Sequence, residues 1–320
     1  MTLTYGLRLF CLLTVLVGVV YAAVQVALSC GSRYMMRRLD RVGSRHRERI
    51  LYLLQVAPAL LAILVAGLLC FPEYLRHEPA HAAEPVGRIT LLLAVLVCVW
   101  FGSALLRGLR TALRTIGFAR NCRRFGRLMG GSGSAPILAL AGAAPPLSLV
   151  GFLRPSIVIS ESLVETGGLN PEALQVALDH ELAHARQLDN CKLLSFCFLP
   201  RLIGDPWRQA WQLAADCAAD DDAAAGDPAR SMLLAEALVR AARLVRPSRS
   251  TVICAALTRA EAGLAHRIDR LLSPRRAPQS AGKSLLTGFA GMVLLAVGAA
   301  AASSPWVYGL CEYILHLGGF

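Results

Sequence analysis

The stretch VALDHELAHARQLDN, residues 176–190, places two histidines four positions apart, with a carboxylate directly after the first. On an α-helix, residues four apart lie on the same face, so His180 and His184 can both direct a ring nitrogen at one ion. Glu181 is offset by about 100° and reaches a water beside that ion rather than the ion itself. Two neutral imidazoles that hold zinc, with a carboxylate that takes a proton from water, are the parts of a zinc hydrolase.

A catalytic zinc also needs a third protein ligand and an open coordination position. The best candidate lies in AADCAADDDAAA, residues 214–225, where Asp216 and Asp220 are one helical turn apart. We expect Asp216 to bind the metal, and Asp220 to accept a hydrogen bond from the outer nitrogen of a ligating histidine. Cys217 is the second choice as a ligand, because thiolate is also a good zinc donor. The alternative for the histidines is that they merely share a helix without binding a metal. The alternative for the aspartates is a solvated acidic helix face, which suits Asp221, Asp222 and Asp227 best.

The elements that must position these residues are mostly helical. Asn170 is a good N-cap with Pro171 at the first helical position, and the helix that begins there is predicted to continue to about Phe198. Further helices are predicted from about Pro206 to Gly226, from Ala229, and over RAEAGLAHRIDRLLSP. Before them, ILALA, PLSLVG and SIVIS predict a small antiparallel sheet, preceded by a flexible break at GGSGSAP, residues 130–136.

The composition predicts a membrane protein. Hydrophobic residues make up 55% of the chain and charged residues only 17%, and the mean hydropathy is +0.52. This is too apolar for an ordinary soluble protein of 320 residues. Apolar stretches of roughly 20 residues, each long enough to cross the bilayer, lie at about 9–28, 50–71, 89–106 and 284–303. We therefore expect a mostly α membrane protein of four spans, with an α+β domain, residues 108–283, inserted before the last span and a short tail, residues 304–320.

The arginines predict the orientation, because Lys and Arg accumulate in cytoplasmic loops. They cluster after the first and third spans, at Arg33, Arg37, Arg38, Arg41, Arg45, Arg47 and Arg49 and at Arg107, Arg110, Arg114, Arg120, Arg123, Arg124 and Arg127. The loop between spans two and three, residues 72–87, has one arginine and three glutamates. We expect both termini outside the cell membrane and the inserted domain in the cytoplasm.

The same arginines account for the formal net charge of +12, because basic juxtamembrane segments contact the anionic headgroups of the lipid bilayer. No recognition helix or aromatic platform accompanies the charge, so direct nucleic-acid binding is not expected. The ten cysteines contain no CxxC pair and are interpreted as small buried hydrophobic residues rather than a disulfide framework.

The stretch RPSIVISESLVETGGLNPEALQVALDHELAHARQLDN, together with AADCAADD, RIDRLL and the four-span layout, resembles the BlaR/MecR-type antirepressor family of membrane zinc metalloproteases. These are gluzincins, more distantly similar to HtpX- and Ste-type membrane proteases. The resemblance covers most of residues 1–303 and implies a zincin-like fold for the inserted domain. It implies that PLSLVGFLRPSIVIS is the edge strand along which an extended substrate is laid.

Residue by residue, the resemblance implies that His180 and His184 bind zinc and that Glu181 is the general base. Asp220 matches the family's aspartate beside the ligands, and Arg267 matches an arginine with a transition-state or structural role. The neighbouring His266 is expected to be an ordinary surface histidine. The departure is at Asp216, where the family usually has glutamate; because aspartate is one methylene shorter, the two helices must approach more closely. The large extracytoplasmic sensor domain of signalling members is not expected after the last span, since only residues 304–320 follow it.

The expected function is a zinc-dependent endopeptidase in a bacterial inner membrane, with its site in the cytoplasm. Its substrate would be a protein or peptide, such as a cytoplasmic repressor or a membrane protein. The alternative is a catalytically weak or inactive signalling or scaffold protein with a structural metal site. An intramembrane protease is disfavoured, because Asp179, Arg186 and Asp189 would be costly in lipid.

Overall fold

The computed structural model describes residues 4–77, 86–132, 135–141, 146–161, 163, 169–201, 206–244, 254–256, 261–273 and 304–318. Three helices are long and apolar enough to cross a membrane: Tyr5–Leu39, Ser44–His77 and Arg88–Phe125. They contain the first three predicted spans. The predicted fourth span, residues 284–303, lies outside the described residues.

We name the first helix α1 and the third α4. The helix between them consists of α2 (Ser44–Val65), a π-helical segment (Ala66–Cys70) and α3 (Phe71–His77). Helix α4 has 38 residues. At the rise of an α-helix this makes it about 57 Å long, nearly twice the thickness of the hydrocarbon layer. The arginines after span three lie along α4 as far as Arg124, whereas those after span one lie at the end of α1, at the start of α2 and, for Arg41, in the turn between them. We call these arginine-rich ends of α1, α2 and α4 the helical extensions. Helix α4 passes residue 108 without a break.

A five-stranded sheet follows α4. Its strands are β1 (Arg127–Ser132), β2 (Ala135–Leu140), β3 (Leu147–Val150), β4 (Ser156–Ser160) and β5 (Cys254–Ala256), in the spatial order β1-β2-β4-β3-β5. The prediction of an antiparallel sheet is wrong in one pair, because β2 and β4 run parallel while the other three pairs are antiparallel. The described part of the predicted flexible break forms the end of β1 and the start of β2, which pair antiparallel.

Six further helices are described: α5 (Pro171–Arg186), α6 (Asp189–Phe198), α7 (Pro206–Ala224), α8 (Pro228–Leu244), α9 (Glu261–Leu272) and α10 (Ser304–His316). The prediction of one helix from Asn170 to about Phe198 is wrong, because the chain turns at Leu188, which has left-handed backbone angles (φ 55°). The break separates α5 from α6 and redirects the residues that follow.

The domain packs directly on the helical extensions. Leu39 of α1, Leu51 of α2, Phe196 of α6 and Trp211 of α7 share one buried cluster. At the other end of the bundle, α10 lies beside the N-terminal half of α1 and the end of α3, and the backbone N–H of Gly87 donates to Leu315 O at 2.8 Å. The predicted tail is therefore a packed helix at the end of the bundle opposite the domain.

Candidate metal centre

Helix α5 presents the HExxH residues to the interior of the domain. Its start is defined by Asn170, whose side-chain oxygen accepts a hydrogen bond of 2.6 Å from the backbone N–H of Ala173, as an N-cap residue does. The side chains of His180, Glu181 and His184 are all buried, because α7 covers this face of α5. The helix therefore directs its histidines at another helix and not at solvent.

Asp216 on α7 completes a group of three residues that could hold a metal ion, the one such group found in the described ranges. One ligand atom from each of His180, His184 and Asp216 lies within 4.8 Å of the other two. The Nε2 atoms of the histidines are 3.2 Å apart, and Asp216 Oδ1 is 3.5 Å from His184 Nε2. The close packing of α7 on α5 thus brings the shorter aspartate within reach.

These separations fit zinc. Ligand atoms at about 2.1 Å from a tetrahedral ion are about 3.4 Å from one another. Two imidazole nitrogens and one carboxylate oxygen leave a fourth position open. Asp216 is the one of the three whose side chain is partly exposed, at 20%. The three donors could therefore hold a tetrahedral metal ion with one coordination position left open.

The outer nitrogen of His180 faces what we call the His180 arm, which consists of His180, Asp220 and Arg267. The contact of His180 Nδ1 with Asp220 is close but not aligned as a well-formed hydrogen bond. His180 Nδ1 lies 2.9 Å from Asp220 Oδ1, and the Arg267 guanidinium donates to both oxygens of Asp220, at 2.7 and 2.8 Å. Burial alone would raise the pKa of Asp220, but the charge and hydrogen bonds of Arg267 and His180 outweigh it and lower that pKa. Burial lowers the pKa of His180, which keeps its imidazole neutral for a metal.

The outer nitrogen of His184 is held by the His184 arm, which consists of His184, Asp189 and Lys192. His184 Nδ1 is 2.7 Å from Asp189 Oδ2, and Lys192 Nζ donates to Asp189 Oδ1 at 2.9 Å. Burial opposes the charged form of His184, but Asp189 outweighs it and raises the pKa of the imidazole. On an unbroken helix Asp189 would lie about 140° around the axis from His184. The turn at Leu188 is therefore what allows this contact.

Glu181 contrasts with both aspartates. Its carboxylate is completely buried, and within the described part of the chain neither oxygen makes a well-formed hydrogen bond, although the backbone of Leu149 lies close enough to favour the charged form. Burial raises the pKa of Glu181 to about 7, although the charge of His184 partly opposes this. An acid with unused hydrogen-bonding capacity and a pKa near neutrality is suited to accept a proton from water.

The remaining residues that the sequence analysis considered, a cysteine, a histidine and three aspartates, do not belong to the group of three ligands. Cys217 is not among the three grouped ligands, and burial raises the pKa of its thiol to about 11. His266 is exposed, as expected. Asp227 is exposed, but Asp221 and Asp222 are not simply solvated: Asp221 contacts Ser44 and Arg270, and Asp222 contacts Arg45.

The predicted substrate edge strand is wrong. β4 lies between β2 and β3, and β3 pairs with both β4 and β5, with Leu149 opposite Ala255. Asn190, a residue that sequence reasoning left without a role, fixes β3 to α6 by donating to Leu149 O at 3.0 Å and Gly151 O at 2.7 Å. In the described sheet β3 is therefore paired on both sides.

Sequence reasoning also left Asp189 and Lys192 out of the site. The one available signal was an aspartate five residues after the second histidine, which has meaning only once the helix break is known. No protein-family model matches the chain, and no curated protein matches it. The likeness to the BlaR/MecR-type proteases thus stays a resemblance of motifs.

Proposed function

We propose that this protein is a membrane-anchored zinc-dependent endopeptidase. The observation that carries the proposal is the combination of three convergent ligands, His180, His184 and Asp216, with a buried carboxylate, Glu181, that has no well-formed hydrogen bond in the described structure. Buried polar groups are normally hydrogen-bonded, and exceptions concentrate where a ligand or catalytic water completes the site.

Each residue has a defined task in the proposed reaction. His180, His184 and Asp216 would hold the ion, which supplies Lewis-acid polarisation of water and of a peptide carbonyl. Glu181 accepts the proton of the water that attacks the carbonyl carbon, and then gives that proton to the leaving amine as the C–N bond breaks. Asp220 and Asp189 keep the two imidazoles oriented, and Arg267 holds Asp220.

The membrane helices support a location in a bacterial inner membrane. In this proposal the arginine-rich helical extensions and the domain lie in the cytoplasm, and the N-terminus and α10 lie on the other side. The substrate is a protein with an extended segment, either a cytoplasmic repressor or a membrane protein.

The test combines metal content with proteolysis for the full-length protein in detergent micelles. We expect stoichiometric zinc in the wild type and in Glu181→Gln, and loss of zinc in Asp216→Ala. Incubation with a proteome-derived peptide library, read by mass spectrometry as new peptide N-termini, should show cleavage that falls at least about 100-fold in Glu181→Gln. Asp222→Asn, an acid on the outer face of the same helix as Asp216, is the matched control and should retain both zinc and cleavage.

Two results would overturn the proposal. A wild type without zinc excludes the metal site itself. Full zinc with no Glu181-dependent cleavage favours the alternative of a signalling or scaffold protein with a structural metal.

A further inference from the structure

A buried acid lies on a membrane-spanning helix where that helix meets the domain. Glu48 is in the second turn of α2, just before the apolar stretch, and is only 1% exposed. Full burial is rare for glutamate unless the carboxylate is paired. The groups that contact the Glu48 carboxylate therefore indicate its role.

One carboxylate oxygen of Glu48 binds two different helices of the domain. Oε1 accepts a hydrogen bond of 2.7 Å from Lys192 Nζ on α6 and one of 3.2 Å from Trp211 Nε1 on α7. Oε2 is buried and makes no hydrogen bond to any of the described residues. Oε1 of Glu48 thus joins α2 to a cationic donor on α6 and to a neutral donor on α7.

Both partners belong to elements that build the metal centre. Lys192 is the cation of the His184 arm and donates to Asp189, which in turn holds His184. Trp211 lies on α7, the helix that supplies the third ligand, Asp216. The contacts run without interruption from the membrane helix to one histidine ligand, and Glu48 also fixes the helix of the carboxylate ligand.

We propose that Glu48 is a positioning residue for the metal centre, through which the position of membrane helix α2 sets the orientation of His184 and the placement of Asp216. This inference rests on the proposed metal site. A shift of α2 by about 1–2 Å, typical of helix movements in switching proteins, is enough to lengthen the Glu48–Lys192 contact beyond a hydrogen bond.

The experiment measures zinc affinity by competition with a chromophoric chelator, using the full-length protein in detergent micelles. Replacing partners beside metal ligands weakens binding about 10–100-fold, and Glu48 acts one contact further away. We therefore expect about tenfold weaker zinc binding in Glu48→Met and in Lys192→Met. The double variant should lose less affinity than the product of the two single losses, because both changes break the Glu48–Lys192 contact.

Two controls separate positioning from a general loss of folding. Glu48→Gln keeps an oxygen acceptor for Lys192 and Trp211 and should recover affinity to within about threefold of the wild type, since outer-shell effects depend on the hydrogen bond. Arg47→Gln removes the neighbouring ion pair of α2 with Asp40 (2.9 Å), which does not reach the site, and should leave zinc affinity unchanged. Thermal unfolding of the metal-free variants identifies any that fail to fold, and Lys192→Met then carries the test alone.

The outcomes distinguish the two proposals. If the wild type binds no zinc, the proposed function fails and this inference fails with it. If the wild type binds zinc and Glu48→Met and Lys192→Met bind it equally tightly, even with lower melting temperatures, the metal site stands and the positioning role is overturned. The same follows if the double variant shows the product of two independent losses.

Discussion

The two histidine arms repeat one plan with different anchors. In each, a buried aspartate holds the outer nitrogen of a histidine and a cation holds the aspartate. The cation of the His180 arm is Arg267, which is 3% exposed and comes from α9 of the domain itself. The cation of the His184 arm is Lys192, whose side chain is 20% exposed and is shared with Glu48 of membrane helix α2. In the proposed metal site, the contacts of His180 thus stay within the domain, whereas those of His184 extend through Lys192 to α2.

The largest effect should come from removing Arg267, the cation of the His180 arm. Arg267→Met leaves Asp220 as a buried charge that has lost its bidentate partner, which we expect to destabilise the fold by about 3–5 kcal/mol. Lys192→Met leaves two buried carboxylates, Glu48 and Asp189, but the lysine side chain is 20% exposed, so water can reach the place that it leaves and solvate them. We therefore expect Lys192→Met to cost less than Arg267→Met. Chemical unfolding of the two variants in micelles measures the difference. Equal losses of unfolding free energy in the two variants would contradict the proposed difference between the His180 arm and the His184 arm.

The second prediction concerns Glu181, the acid that belongs to neither arm. Its pKa rises from 4.5 in the unfolded chain to about 7 in the metal-free fold, so between these values the unfolded state releases its proton first. Stability should therefore fall as the pH rises from about 4.5 to about 7, by about 3 kcal/mol from this group alone. The aspartates act in the opposite direction, since their lowered pKa values stabilise the fold above about 3.8 and lose that effect on acidification.

The measurement is the difference in unfolding free energy between metal-free wild type and Glu181→Gln across this pH range. The difference cancels the titration of the histidines to first approximation. A flat difference would show that Glu181 ionises in the fold as easily as in water.

The smallest expected effect is the difference between Asp189→Asn and Asp220→Asn, which remove the two aspartates beside the histidines. Asp189→Asn and Asp220→Asn should each weaken zinc binding by about 10–100-fold, as expected for partners of ligating histidines. Asp220→Asn should also lower the melting temperature more, because the next carboxylate to Arg267 is Asp216 at 3.7 Å, whereas Lys192 keeps Glu48 at 2.7 Å. Chelator competition and thermal unfolding on the same samples provide both readouts. A larger drop in melting temperature for Asp189→Asn than for Asp220→Asn would show that the His184 arm, and not the His180 arm, depends more on its aspartate.

The sequence was sufficient where spacing along one element decides the geometry. The positions of His180 and His184 on one face of α5, the Asn170 cap and the three long apolar helices follow from local periodicity, and the structure agrees. The sequence also placed Asp216 and Asp220 one turn apart on one helix, and in the structure Asp216 lies near His184 and Asp220 near His180. The same reasoning failed for the sheet, where the parallel pairing of β2 with β4 depends on contacts between segments that have no local signal.

What the sequence by itself determined is thus the HExxH helix, its acidic partner helix and the apolar character of the helices that precede them. Only the tertiary structure decided that α5 and α6 are separated by a turn at Leu188, that β5 occupies the second edge of β3, and that Glu48 joins Lys192 across 144 residues of chain. The physical reason is that a periodic pattern reports which face of one element is buried. Which carboxylate compensates which buried cation depends on how separate elements pack.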